Sequence, residues 1–124
     1  LAGRGLCVGL ATDTGGGSSF SMLRTMAAAY EIAQLRGQAL HAAQLLWLAT
    51  EGSAAALHLS GRVGRLAEGA EADLCVLDLA STPAIAQRAE AARSPWDAIF
   101  PTIMMGDDRA VVDVWVAGQR VSRP

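Results

Sequence analysis

The chain contains no lysine, only two cysteines and two histidines, and few aromatic residues. Each scarcity removes a class of function. A Walker-type phosphate site needs a lysine to meet the terminal phosphate, so the glycine-rich stretch of this chain is a poor phosphate cradle, and its spacing also misses the dinucleotide fingerprint. The ten basic residues are all arginines, scattered and outnumbered by twelve acidic ones, which leaves no basic stripe for a nucleic-acid partner. No apolar run reaches the roughly 18 residues of a membrane span, and no charged region precedes a signal-type apolar stretch at the N-terminus. His41 and His58 have no second His, Cys or carboxylate three or four places away. Neither has the spacing of a helical zinc pair, and surface or capping roles are expected for both. Cys7 and Cys75 fall in apolar runs, which predicts buried, reduced thiols and a cytoplasmic location.

What remains is globular. Of 124 residues, 52% are hydrophobic and 18% charged, enough to bury a core as one domain. The stretch Leu6 to Met26 organises the reading. Its apolar run, Leu6 to Ala11, predicts a buried strand that stops at Asp13, passes Gly15, Gly16 and Gly17, and restarts as a helix behind Ser18 and Ser19. A carboxylate at the C-terminal end of a strand lies where α/β folds gather ligands and catalytic groups, which makes Asp13 the candidate for chemistry. An Asp before glycines also serves simply as a turn or helix cap, and that alternative stands beside the first.

The following elements are read from period and punctuation. Met22, Met26, Ala29, Tyr30 and Ala33 recur at helical spacing between about Ser19 and Arg36, with Gly37 as the stop. A second helix is expected over Gln38 to Thr50 and a short third over Glu51 to Leu57, before the turn-rich segment Gly61 to Gly69. Strands are expected at Ala72 to Leu79 and Val111 to Ala117, the latter turning at Gly118 and Gln119 into Arg120 and Val121. Between them, Thr82-Pro83 and Ser94-Pro95 open two helices, and Asp107-Asp108 marks a turn. The chain lacks an initiator Met and enters its first apolar run without a polar lead-in, so it reads as a piece of something longer.

The order of an apolar run, Thr12-Asp13, a glycine turn and the SFSMLRTM helix, followed by VGRLAEGAEADLCVLDL and VVDVWVAGQRV, resembles the C-terminal part of amidohydrolase-superfamily enzymes. ATDTGGGSSFSMLRTMAAAY, with MMGDDRAVVDVWVAG, is most similar to the guanine deaminases within that superfamily. The resemblance covers nearly the whole chain from Leu6 onward. It implies an α/β architecture: residues 1–68 as the last strand and following helices of a (β/α)8 barrel, and 69–124 as C-terminal strands and helices of the flanking small β-sandwich domain. It also implies zinc as cofactor, a small-molecule purine as substrate, and Asp13 as metal ligand and catalytic base. The metal-activated water would attack the amino-bearing carbon of guanine, giving xanthine and ammonia.

The family's His ligands lie upstream of the eighth strand, and no His precedes Asp13 here. One carboxylate does not build a three-ligand zinc site, and a barrel takes about 250 residues. The expectation is therefore a C-terminal fragment, inactive alone, with its substrate-binding residues elsewhere. Two alternatives accompany it. One is an amidohydrolase acting on another purine or pyrimidine. The other is a non-catalytic module whose exposed strand edges and barrel-facing apolar surface invite self-association or a partner chain.

Overall fold

The computed structural model describes residues 7–121. Among the described residues there are five α-helices, α1 (Met22–Leu35), α2 (Ala42–Ala49), α3 (Glu51–Ala56), α4 (Pro83–Glu90) and α5 (Pro95–Met105), and a 3-10 turn at Asp108–Ala110. Three strands, β1 (Leu74–Leu77), β2 (Val111–Val116) and β3 (Gln119–Arg120), form an antiparallel sheet in the order β1-β2-β3. This is a small α/β unit in which α1 packs on α5, α5 on α4, and α2 on both α1 and α5.

Local chemistry sets the helix starts. In α4 the Thr82 hydroxyl accepts from the Ile85 N–H, in α5 the Ser94 hydroxyl accepts from the Asp97 N–H, and proline opens both helices. Proline at the first turn gives up an N–H that would have no intrahelical partner anyway. The start of α1 falls two to three residues later than expected, because Ser21 rather than Ser18 or Ser19 takes the capping position. Ser19 instead accepts from the Ser21 N–H at 3.0 Å.

The core joins both halves of the chain. Leu23 and Met26 of α1, Ala42 and Leu45 of α2, Ile103 of α5 and Ala110 form one buried cluster, against which Leu10, Tyr30, Leu77 and Phe100 pack. Leu45 and Ile103 are essentially inaccessible to water, and burial of each contributes roughly 1.5–3 kcal/mol against exposure. Tyr30 and Phe100 add an edge-to-face contact, their centroids 5.0 Å apart.

The pairing of β1 with β2 contains a register shift. Val76 faces Asp113 but Leu77 faces Val111, so Val112 bulges outward and is half exposed. The hairpin turn comes one residue early, on Ala117 and Gly118, both at positive φ (50° and 77°). Positive φ at both central residues is the condition of the I′ turn, whose twist suits the flanking strands.

Two further expectations are corrected. Leu6 lies outside the described residues, and residues 7–13 belong to no strand. A strand exists only through a ladder partner, and none meets this segment among the described residues. Cys7 and Cys75 are both exposed free thiols rather than buried ones. Cys75 sits on β1, an outer strand with no neighbour on its far side among the described residues. Partial burial nonetheless pushes the Cys75 thiol pKa up.

Candidate functional site

Asp13 begins a tight turn. Its backbone takes a left-handed conformation (φ 50°), and its carbonyl accepts the N–H groups of Gly16 (2.9 Å) and Gly17 (2.5 Å). Asp tolerates this region better than most residues. The glycines make the turn feasible in different ways. Gly15 sits at φ 102°, which L side chains rarely adopt. A Cβ on Gly17 would run into the Thr12 carbonyl oxygen. One on Gly16 would lie 2.7 Å from Asp13 Oδ2, so the bare Gly16 face is where the carboxylate rests.

The carboxylate itself does no structural work among the described residues. No hydrogen-bond donor meets it there, and it does not cap α1, whose first turn is served by Ser21. Asp13 is exposed. The turn is held by its main-chain carbonyl, which any residue would supply.

The segment leading to Asp13 is held from behind. The Leu10 N–H donates to the Leu48 carbonyl at 2.9 Å and lies 3.1 Å from Ser53 Oγ. Ser53 Oγ is in turn 2.9 Å from the Leu10 carbonyl and 2.8 Å from the Leu48 carbonyl. Gly9 passes so close that a Cβ there would fall 2.6 Å from both Ser53 Cα and Ser53 Oγ. Neither Gly9 nor Ser53 was singled out by sequence reasoning. The one visible signal is the break around Thr50, between two stretches of helical period.

The histidines do not join Asp13. His41 caps α2: its Nδ1 accepts from the Ala43 N–H at 3.2 Å while Gln44 Oε1 accepts from the His41 N–H at 2.8 Å. His41 lines a cavity of about 420 Å³ with Tyr30, Arg88, Arg93, Trp96 and Phe100. His58 follows α3 at φ 60° and is exposed. Among the described residues no three His, Cys, Asp or Glu side chains come together to hold a metal. A catalytic zinc takes about three protein ligands, so the residues described here do not make such a site; Asp13 offers one donor at most.

Several charges elsewhere are paired. Hydrogen bonds from Arg109 hold the Asp107 carboxyl below its ordinary value, and Arg120, bonded to Asp113 at 2.7 Å, lies over the Trp115 ring. The Arg109–Asp107 pair is exposed, and pairs of that kind contribute little to stability; in the Arg120–Asp113 pair the arginine is exposed but the Asp113 side chain is only 13% exposed.

The amidohydrolase family model matches residues 1–121, and the chain belongs to that family. Its relatives include the guanine deaminase of Escherichia coli strain K12, 38% identical over 114 residues, which cover 92% of this chain and 26% of that protein. A probable guanine deaminase of Deinococcus radiodurans is 37% identical, with 92% of this chain and 27% of that protein covered. An imidazolonepropionase of Salinispora tropica is 39% identical over 88 residues, which cover 71% of this chain and 21% of that protein. The solved structure of the E. coli guanine deaminase superposes with a TM-score of 0.92 at 35% identity, covering 98% of this chain and 29% of that one. The chain thus spans about a quarter of the length of the curated relatives it matches. No helix among the described residues is long and apolar enough to cross a membrane.

Proposed function

We propose that these residues form the C-terminal part of a guanine deaminase-like hydrolase, in which water replaces the ring amino group of guanine to give xanthine and ammonia. The observation that carries this reading is the Asp13 turn: a carboxylate on a glycine-built corner, without a structural partner among the described residues, in a chain whose relatives include guanine deaminases. In this reading residues 1–68 complete a barrel and 69–124 contribute to the flanking β-sandwich. Asp13 is one ligand to a catalytic zinc and the acceptor of a proton during the reaction. The other ligands and the purine-binding groups come from outside the described residues, and the 124 residues alone are inactive. The two free thiols support a cytoplasmic location.

The test uses the complete reading frame that carries these residues. Ammonia release and conversion of guanine to xanthine are expected, and Asp13→Asn lowers turnover by at least about a hundredfold with the far-UV spectrum unchanged. A folded complete product that leaves guanine untouched, or an Asp13→Asn variant with full activity, refutes the reading. Turnover of another aminopurine or a pyrimidine in place of guanine would establish the neighbouring alternative, an amidohydrolase of different substrate.

A second reading is favoured by the apolar surface. Phe20 is 82% exposed, Leu35 87% and Leu66 76%, and large exposed apolar groups mark surfaces that another chain covers. On that reading the 124 residues act as an interaction module and self-associate. Their mass in solution by light scattering decides it, a monomer counting against self-association.

A further inference from the structure

The interruption between α2 and α3 has a consequence for Asp13. Leu48 is one of the last residues of α2, whose final carbonyls have no partner within the helix. At the break the Leu48 carbonyl instead receives the Leu10 N–H (2.9 Å), while Ser53, in the first turn of α3, reaches back to the same carbonyl (2.8 Å). The Ser53 hydroxyl also lies within hydrogen-bond reach of both main-chain polar groups of Leu10. Three residues beyond Leu10 stands Asp13. One hydroxyl therefore ties the segment ahead of the carboxylate to a helix terminus 43 residues away in sequence, and the missing side chain of Gly9 permits the close approach.

We propose that Ser53 is a positioning residue that sets where Asp13 stands along the direction of its segment, the break between α2 and α3 being the dock that makes this possible. The proposal rests on the reading of Asp13 given above. Ser53 touches no substrate; it acts through Leu10. Sliding the segment by a fraction of a residue would carry the carboxylate off its working position, and misplacement on the scale of 1 Å costs a reaction up to about a hundredfold.

Three measurements test it. In the 124-residue chain, amide hydrogen exchange followed by NMR is expected to show Leu10 protected at least about tenfold over Ala11, since a paired amide exchanges only on opening; an unprotected Leu10 overturns the proposal. Ser53→Ala is expected to shift the amide signals of Thr12 to Gly17 while leaving those of β2 in place. Ile85→Val, a loss of one buried methyl group in α4, serves as the control and should leave Thr12 to Gly17 unmoved; equal shifts from both variants also overturn it. In the complete enzyme, Ser53→Ala is expected to lower kcat by about tenfold or more with KM little changed, whereas Ile85→Val alters neither. If Asp13→Asn abolishes turnover and Ser53→Ala does not reduce it, the positioning role alone falls. If Asp13→Asn is silent, the reading of Asp13 falls and takes this one with it.

Discussion

Thr102 sits in α5, fully buried, and its hydroxyl has no hydrogen-bond partner among the described residues. An unpaired buried hydroxyl costs about 1–3 kcal/mol, whereas a methyl group of the same shape gains from burial. Thr102→Val should therefore stabilise the chain by about 1.5 kcal/mol. Helix propensity does not oppose the change, since Thr and Val rank together. The main chain is also indifferent, because the Thr102 carbonyl goes on accepting the Gly106 N–H. For 124 residues the unfolding entropy near the midpoint is about 0.26 kcal/mol/K, so Tm should rise by about 6 °C. The assay is thermal and urea unfolding followed by circular dichroism at 222 nm, with the urea slope unchanged between the two proteins. A fall in Tm would refute the reasoning. It would mean that the hydroxyl is satisfied in solution and that valine removes a real bond.

Two more substitutions probe the packing and the turn. Leu45→Ala empties the centre of the helical cluster and should cost about 3 kcal/mol, lowering the urea midpoint in the same assay. Ala117 stands at φ 50° in the I′ turn, a region that Asn enters more readily than Ala. Ala117→Asn should thus raise stability by about 0.5–1 kcal/mol, with the bond from its N–H to Asp73 retained. An unchanged Tm would argue against that turn type.

The sequence disclosed best those features whose causes are local. Ser or Thr followed by Pro marks α4 and α5 because a cap and a first turn need only their own four residues. The Met22 to Ala33 stripe likewise reported α1, although Leu23 and Ala27, each one position off that stripe, are buried as well. Features made by distant segments were not legible. The run Leu6 to Ala11 has a strand's composition, but composition supplies no ladder partner. Among the described residues Cys75 has strand neighbours on one side only, which its flanking Leu and Val cannot reveal. Ser53 reads as an ordinary helical serine until Leu10 is laid against it. A single hydroxyl has no period to betray it.

The two readings of Asp13 open at the sequence level now lead to different experimental results. If the residue were kept for the turn, its carboxylate would bond a nearby N–H, as an Asx turn or a helix cap requires. Here the donors of Gly16 and Gly17 go to the main-chain carbonyl, and Ser21 serves α1. What the turn asks of position 13 is only tolerance of φ 50°. Asn meets that demand as well as Asp, while Ala meets it at a cost of about 1 kcal/mol. Asp13→Asn should therefore leave Tm of the 124-residue chain unchanged and Asp13→Ala should lower it by about 4 °C. On the function proposed above, both should lose turnover alike in the complete reading frame. Stability would then follow the backbone and activity the carboxylate. A large drop in Tm with Asp13→Asn would restore the capping role and remove the ground for assigning Asp13 to chemistry.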